Sequence, residues 1–214
     1  MMPLVVVQIL VYNESREAID RLMASLAVVE YPTDRWRLVI VTNACEGHDL
    51  AGYIRSRWTQ APGLPQMTVH VQNPNLGFAG GHNRALELSQ TWNPDYVYLL
   101  NADAHVDPAF LARIVEVASL HPRAAIVQSR IMLEQSPALL NSRGNALHFL
   151  GFGFSLGYRE SFLSHPTSPG EVRDHFFQSQ GALVGGSRTP VVHAPAREPA
   201  VGLPLGRPGL EKTV

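Results

Sequence analysis

The chain has 214 residues, of which 45% are apolar and 16% charged, so it is long enough to bury the core of one globular domain. Its net charge of -1 does not favour nucleic acid or an anionic membrane surface as a partner. Cys45 is the only cysteine, which excludes a disulfide framework and a cysteine-ligated metal site and favours a reducing, cytoplasmic location. No apolar run approaches the roughly 20 residues of a membrane-spanning helix, and the apolar start lacks the basic region of a signal peptide.

Apolar runs alternate with helical patterns through the first 128 residues. The runs predict buried strands over residues 4–11, 38–41, 67–71 and 96–100, and residues 125–127 begin a fifth strand. Apolar residues at helical spacing between the runs predict four helices. The last of these has a clear start, with Asp107 as N-cap and Pro108 in the first turn. Such alternation predicts βαβ units and a mostly parallel α/β sheet.

The character of the sequence changes after Ser136. Alternating aromatic residues and glycines over 141–158 predict turns and antiparallel strands. Residues 185–214 are rich in proline and glycine and have almost no apolar periodicity. Because such a segment cannot bury enough surface to offset its ordering entropy, we predict a disordered tail there and a folded domain over residues 3–184.

A polar pair, Asn101 and Asp103, follows the fourth predicted strand. Open α/β sheets bind ligands at the carboxyl ends of their strands, and a carboxylate there suits a divalent cation held against a diphosphate. Asp is also common in turns, so on spacing alone a turn cap is about as good an interpretation. His105 could be a further ligand, although a lone histidine near a strand end is more often only a partly exposed polar residue.

Two weaker motifs follow other strands. Glycines at 77, 80 and 81 within residues 75–83 would let a backbone approach a ligand near a helix N-terminus, or would simply allow close helix packing. Tyr12, Asn13 and Glu14 end the first strand, where an aromatic ring could stack on a base and polar groups could bind its edges. The alternative is a helix cap in which Tyr12 covers the edge of the core, and alone this motif is a weak signal.

Taken together and in this order, these stretches resemble the family 2 glycosyltransferases, inverting enzymes of the GT-A fold, and especially their bacterial rhamnosyltransferase-like members. Residues 7–14, 39–44, 75–83 and 98–108 carry the resemblance, and residues 141–158 are similar to the segment that follows in such members. The resemblance covers about residues 3–180. No single motif is decisive, but four in the right order at the right strand ends make it specific.

The resemblance implies a nucleotide-sugar donor bound across the carboxyl ends of the first four strands. The residues expected to bind it are Tyr12, Asn13, Glu14, Thr42, Asn43, Gly77, Gly80, Gly81, Asn83 and Asn101. Among them, Tyr12 and Glu14 would contact the nucleoside, and Gly80 and Asn83 would lie beside the ribose and diphosphate. Asp103 would coordinate Mg2+ or Mn2+ as part of the family's DxD-like motif. The acceptor would be a saccharide or a lipid-linked sugar, in cell-wall or polysaccharide biosynthesis, and a peripheral membrane association is compatible with it.

The chain departs from the family pattern at three places. Thr42 stands where the family usually has an Asp that bonds the base, and Asn101 replaces the first Asp of the DxD-like motif. The family's general base lies in a later Glu-Asp pair, which inverting transfer needs opposite the leaving diphosphate. Residues 180–184 are similar to the approach to that pair, but no Glu-Asp pair follows, and Glu198 and Glu211 lie in the tail. A truncated or frame-shifted gene would explain this.

Three functions remain open at this point. The first is a glycosyltransferase domain, for which donor binding is better supported than turnover. The second is a non-catalytic nucleotide-sugar-binding protein or a partner of an intact transferase, which the missing base favours. The third is a nucleotidyltransferase, but such enzymes usually have a glycine-rich, basic loop directly after the first strand, and residues 12–15 do not form one. A dinucleotide-dependent oxidoreductase fails for the same reason.

Overall fold

The structure is a computed structural model that describes residues 2–45, 49–142, 145–147, 152–161, 163, 175–176 and 181–185. The helices are α1 (Arg16–Leu26), α2 (Leu50–Trp58), α3 (Gly77–Ser89) and α4 (Phe110–Leu120). The strands are β1 (Val5–Val11), β2 (Trp36–Asn43), β3 (Met67–Gln72), β4 (Tyr96–Asn101), β5 (Ile126–Gln128), β6 (Ile131–Leu133), β7 (Ser136–Ser142), β8 (Asn145–Leu147), β9 (Gly153–Ser155), β10 (His175–Phe176) and β11 (Gly181–Gly185). The five strands predicted before residue 128 and the four helices are therefore all present.

The main sheet has six strands in the order β3-β2-β1-β4-β11-β5. Strands β1 to β4 pair in parallel, as the alternation of strands and helices predicts. Strand β11 is antiparallel to both of its neighbours, β4 and β5. The mostly parallel α/β sheet is confirmed, but a segment from the far end of the described chain separates β4 from β5.

The register of the parallel strands brings their carboxyl ends to one edge. Val11 pairs with Thr42, Asn43 pairs with Gln72, and Leu10 pairs with Asn101. Residues that directly follow these positions therefore emerge side by side. This edge is where open α/β sheets bind their ligands.

Alternation along β1 divides the core between the two faces of the sheet. Val5, Val7 and Ile9 pack with the apolar residues of α1, α2 and α4. Val6 packs on the opposite face with Ala85 of α3. Since successive side chains of a strand point to opposite faces, a strand covered on both sides is a continuous apolar run, as predicted for β1.

The start of α4 differs from the prediction. Asp107 does not cap the helix directly, because α4 begins only at Phe110. Instead, the Asp107 side chain accepts a hydrogen bond from the Ala109 backbone N at 2.9 Å, and its carbonyl accepts one from the Phe110 N at 3.0 Å. Asp107 and Pro108 therefore form a turn that precedes the helix.

The antiparallel strands predicted over residues 141–158 are present as β8 and β9, which pair with each other. Antiparallel pairs also form between β6 and β7 and between β8 and β10, where no such strands were predicted. The first residue of the predicted tail, Gly185, ends β11 in the main sheet, while residues 186–214 lie outside the described part. In the part of the chain that the structure describes, no helix has the length and apolar character needed to cross a membrane.

Asp20 connects the two helices α1 and α2. Its carboxylate accepts hydrogen bonds from the Tyr53 hydroxyl at 2.7 and 2.8 Å, from the Trp58 indole N at 3.0 Å and from Arg57 Nε at 3.2 Å. Burial acts to raise the pKa of Asp20, but the hydrogen bonds from Tyr53 and Trp58 and the charge of Arg57 outweigh it, and the pKa is lowered.

Replacing Asp20 with alanine should lower the free energy of unfolding by about 1–3 kcal/mol, because two ring donors lose their acceptor. Chemical denaturation followed by tryptophan fluorescence measures this change. The stabilisation should be complete above the ordinary carboxyl pKa of 3.8 and should be lost as the pH falls through the lowered value of the folded state. Arg21→Ala, on an exposed position of the same helix, is the control and should have little effect. Equal losses of unfolding free energy in Asp20→Ala and Arg21→Ala would contradict the assignment of Asp20 as the acceptor for Tyr53 and Trp58.

Candidate functional site

An open cleft of about 400 Å³ lies at the carboxyl edge of the parallel strands. It is lined by Leu10, Tyr12, Glu14, Asn43, Asn75, Gly77, Phe78, Asn101, Ala102 and Asp103. These residues come from the ends of β1, β2 and β4 and from the start of α3. Four stretches that are far apart in the chain therefore meet in one cleft, because the strand register aligns them.

Two carboxylates, Glu14 and Asp103, line the cleft just beyond the ends of the neighbouring strands β1 and β4. Asp103 is exposed, and within the described residues its side chain makes no hydrogen bond or ion pair. Glu14 is half-buried and accepts a hydrogen bond from the Tyr12 backbone N. Burial raises the pKa of the Glu14 carboxyl, backbone hydrogen bonds partly offset this, and the negative charge of Asp103 raises it further. A cation between them would relieve this repulsion.

The donor set at this end of the cleft fits a hard divalent cation. Asp103 supplies carboxylate oxygens, and the half-buried Asn101 supplies an amide oxygen beside it. No group of three or more His, Cys, Asp or Glu side chains that could hold a metal exists among the described residues. Mg2+ is commonly held by only one or two carboxylates together with substrate phosphates, so a complete protein cage is not required. His105 is exposed and does not line the cleft.

Asn43 holds the loop between β3 and α3. Its side chain is buried, with 2% exposure, and its Nδ2 donates to Asn75 Oδ1 at 2.7 Å and to the Gly77 carbonyl at 3.2 Å. Its Oδ1 accepts from the Leu76 backbone N at 3.0 Å. Because protein partners bond to both ends of the amide, the main role of Asn43 is to position the cleft wall.

The three predicted glycines have different roles. Gly77 lines the cleft with a φ of +69°, a conformation that strongly favours glycine. Gly80 and Gly81 lie within the first turns of α3 and do not line the cleft. A Cβ on Gly81 would lie 2.4 Å from Cδ1 of Leu10, so this glycine allows α3 to pack closely on β1. Close packing is thus the structural reason for Gly81.

Three further predicted residues lie outside the cleft lining. Thr42 is buried, and its hydroxyl donates to the His70 carbonyl at 3.3 Å, on the side of β3. Asn13 is exposed at a φ of +58°, in the turn between Tyr12 and Glu14. Asn83 is half-buried on α3. The structure therefore brings Tyr12, Glu14, Asn43, Gly77, Asn101 and Asp103 together, but it does not place Thr42, Asn13, Gly80, Gly81 or Asn83 on the surface of the cleft.

Two residues of the site were not predicted from the sequence, the aromatic Phe78 in the cleft lining and the buried His82 next to it. Phe78 lines the cleft and is 47% exposed, and an aromatic residue inside a glycine-rich stretch was the available signal. His82 lies one turn further along α3, with its ring centroid 4.6 Å from that of Phe78. His82 is 2% exposed, neither of its ring nitrogens has a hydrogen-bond partner among the described residues, and burial lowers its pKa to about 4. His82 is therefore a buried imidazole, neutral at pH 7, directly behind the cleft wall.

Known structures share this fold. A mannosyltransferase from Pyrobaculum calidifontis, PcManGT, solved in complex with GDP-Man and Mn2+, superposes with a TM-score of 0.58 over 86% of this chain and 45% of that one, at 20% identity. Residues 1–349 of S. aureus TarS, in complex with UDP-GlcNAc, superpose with a TM-score of 0.53 over 67% of this chain and 39% of that one, at 18% identity. The GT-A fold is thereby confirmed.

Sequence comparison points to the same group. Glucomannan 4-beta-mannosyltransferase 7 of Arabidopsis thaliana is 28% identical over 131 residues, which cover 60% of this chain and 23% of the relative. The chain thus spans about a quarter of the length of this relative. The family model described as glycosyl transferase family 2 matches residues 6–174, which is most of the chain. The chain belongs to glycosyl transferase family 2.

Proposed function

We propose that this chain binds a nucleotide-sugar donor together with a divalent cation, as the donor-binding domain of a glycosyltransferase. The observation that carries the proposal is the strand register, which places an exposed aromatic ring, Tyr12, and two carboxylates, Glu14 and Asp103, in one open cleft. The ring suits stacking on a nucleobase, and the carboxylates suit a cation bound to a diphosphate. Membership of the family supports the same assignment.

Asp103 is the proposed metal ligand, with Asn101 as a weaker oxygen donor beside it. A bound Mg2+ or Mn2+ would supply charge neutralisation for a diphosphate leaving group. Glu14 faces the same space and would orient either the cation or a nucleoside hydroxyl. The exposed Tyr12 ring would cover the nucleoside, with Phe78 on the α3 side of the cleft.

Transfer to an acceptor is a separate part of the proposal. We propose a saccharide or lipid-linked acceptor, inversion at the transferred sugar and a cytoplasmic location, in line with the family resemblance. A sugar-transfer assay on a chain shown to bind the donor tests this part of the proposal.

Thermal unfolding with a panel of UDP-, GDP- and dTDP-sugars tests donor binding. With Mn2+ present, at least one donor should raise the midpoint of the wild-type chain, because a ligand at 100 times its dissociation constant stabilises the folded state by about 2.7 kcal/mol. Asp103→Ala should abolish the part of the shift that depends on Mn2+. Asp107→Ala removes an exposed carboxylate outside the cleft and should retain it. No shift with any donor would rule out the proposed function.

A further inference from the structure

Helix α3 is attached to the sheet through small and polar side chains. Within its 13 residues, the buried ones are Gly81, His82, Ala85 and Ser89. Helix α4 is shorter, but it buries apolar side chains, namely Phe110, Leu111, Ile114, Val115 and Ala118. Because the attachment of a helix depends mainly on the apolar surface that it buries, α3 is attached less strongly than α4.

The face of the sheet under α3 has its own apolar cluster. Among the described residues, this cluster contains Val6, Val39, Val41 and Ala85, with Leu10, Leu88 and Trp92 packed against it. The buried Gln8 interrupts the apolar surface, and its amide bonds to the Ser89 hydroxyl at 3.2 Å. Helices α1, α2 and α4 pack on the larger cluster, on the opposite face. Detachment of α3 would therefore leave that larger cluster intact.

Two histidines lie where α3 meets the sheet. His82 is buried, and its ring nitrogens have no hydrogen-bond partner among the described residues. His70 of β3 accepts a hydrogen bond at Nε2 from Arg84 Nε of α3 at 3.3 Å. A proton on His70 would remove this acceptor and place two cations against each other, and a proton on His82 would be a buried, unpaired charge. Protonation of either histidine therefore weakens the attachment of α3.

The other charged groups on the elements that contact α3 do not offset this effect. Strand β1 and residues 90–92 contain no titratable side chain, and His70 is the only one on β3. Arg37 is the only one on β2, and it donates to backbone carbonyls at the start of β2 and in the turn before it. Glu87 is the only carboxylate on these elements, and it pairs with Arg84 at 2.7 Å.

We propose that α3 is an acid-sensitive wall of the cleft: protonation of His70 and His82 detaches the helix from the sheet while the rest of the domain remains folded. Gly77 and Phe78 line the cleft, so detachment opens its α3 side. Release of a bound nucleotide would follow, and this consequence rests on the proposed function. Burial lowers the pKa of His82 from 6.5 to about 4 in the attached form, so the detached form gains population as the pH falls between these values.

Hydrogen exchange of the free chain tests the detachment without any nucleotide. The protection factor of an amide is the ratio of its intrinsic to its observed exchange rate. At pH 7, protection factors in α3 should be about tenfold or more below those in α1 and α4, and they should depend less on urea. From pH 7 to pH 5, the detached population should rise about 20-fold, as expected for a group whose pKa is 6.5 in one form and about 4 in the other.

The double variant His70→Gln/His82→Leu separates the histidines from other effects of acid. It retains an acceptor for Arg84 and has no imidazole at either position, so protection of its α3 should be nearly independent of pH between 7 and 5. His121→Leu, at an exposed histidine beyond α4, should respond to acid as the wild-type chain does. Equal protection and urea dependence in α1, α3 and α4 would overturn the inference, as would an unaltered acid response in the double variant.

Nucleotide affinity is a separate readout. Since only the attached form completes the cleft, the detached fraction measured by exchange fixes how much the dissociation constant of UDP or GDP with Mn2+ should rise in acid, relative to the double variant. A smaller rise would overturn the release of nucleotide by detachment. A wild-type chain that binds neither nucleotide at pH 7 would overturn the proposed function, and hydrogen exchange would still decide whether α3 detaches.

Discussion

Replacing Asn43 with aspartate should lower the free energy of unfolding at pH 7 by about 3–5 kcal/mol, the range for an uncompensated buried charge. The side chain is 2% exposed, and its Nδ2 donates to two acceptors, Asn75 Oδ1 and the Gly77 carbonyl. A carboxylate there would place negative oxygen against both of them. Denaturant unfolding at pH 7 measures the loss, and nucleotide affinity should fall with it because the cleft wall loses its anchor.

Asn75→Asp is the matched comparison for this first prediction. Both contacts of Asn75 are made by an acceptor atom, which aspartate retains, so the same substitution there should cost less than about 1 kcal/mol. The stability of Asn43→Asp should also recover on acidification, because a protonated carboxyl group can again donate a hydrogen bond. Equal costs at the two positions, or a cost independent of pH, would contradict the hydrogen-bond assignment.

Replacing His82 with leucine should stabilise the protein, most strongly in acid. At pH 7 the gain should be about 1–2 kcal/mol, because the change removes two buried ring nitrogens that have no hydrogen-bond partner in the described part of the chain. The pKa of His82 is about 4 in the folded protein, against an ordinary value of 6.5. Between these values the unfolded chain binds a proton that the folded chain does not, so the wild-type protein should lose about 3 kcal/mol as the pH falls from 6.5 to 4.

The dependence of stability on acid distinguishes removal of the buried imidazole from a general improvement in core packing. Between pH 6.5 and pH 4, the free energy of unfolding of His82→Leu should fall less steeply with decreasing pH than that of the wild-type chain. The difference is the contribution of the imidazole, which the variant lacks. His121→Leu makes the same change at an exposed histidine and should keep the wild-type slope. A leucine variant that is less stable than the wild-type chain at every pH would show that the imidazole has a partner in solution.

The strands and helices before residue 128 were predictable because their signals are local. A continuous apolar run such as β1 is typical of a strand covered on both faces, and polar residues directly after such runs mark the ligand-binding edge. The position of β11 was not predictable in this way. Residues Gly181–Gly185 are short and begin and end in glycine, and their place between β4 and β5 depends on contacts with residues more than 50 positions away.

Individual site residues were harder to predict than the site itself. Thr42 and Asn43 were both expected to contact the nucleotide, but neighbouring strand residues point to opposite faces, and each is bonded to protein. Gly80 and Gly81 were expected beside the ligand, yet helix α3 already begins at Gly77. Sequence patterns therefore located the cleft, whereas side-chain direction within it followed from the exact strand and helix ends.

Electron paramagnetic resonance of Mn2+ tests the central claim most directly, since only unbound Mn2+ gives the sharp aqueous signal. Adding the wild-type chain to Mn2+ and UDP or GDP should reduce that signal below the level with nucleotide alone. Asp103→Asn should leave it at that level, whereas Asp107→Asn should behave as the wild-type chain does. The same reduction with Asp103→Asn, or no reduction with the wild-type chain and either nucleotide, would contradict the assignment of Asp103 as the ligand that holds a cation against a nucleotide diphosphate.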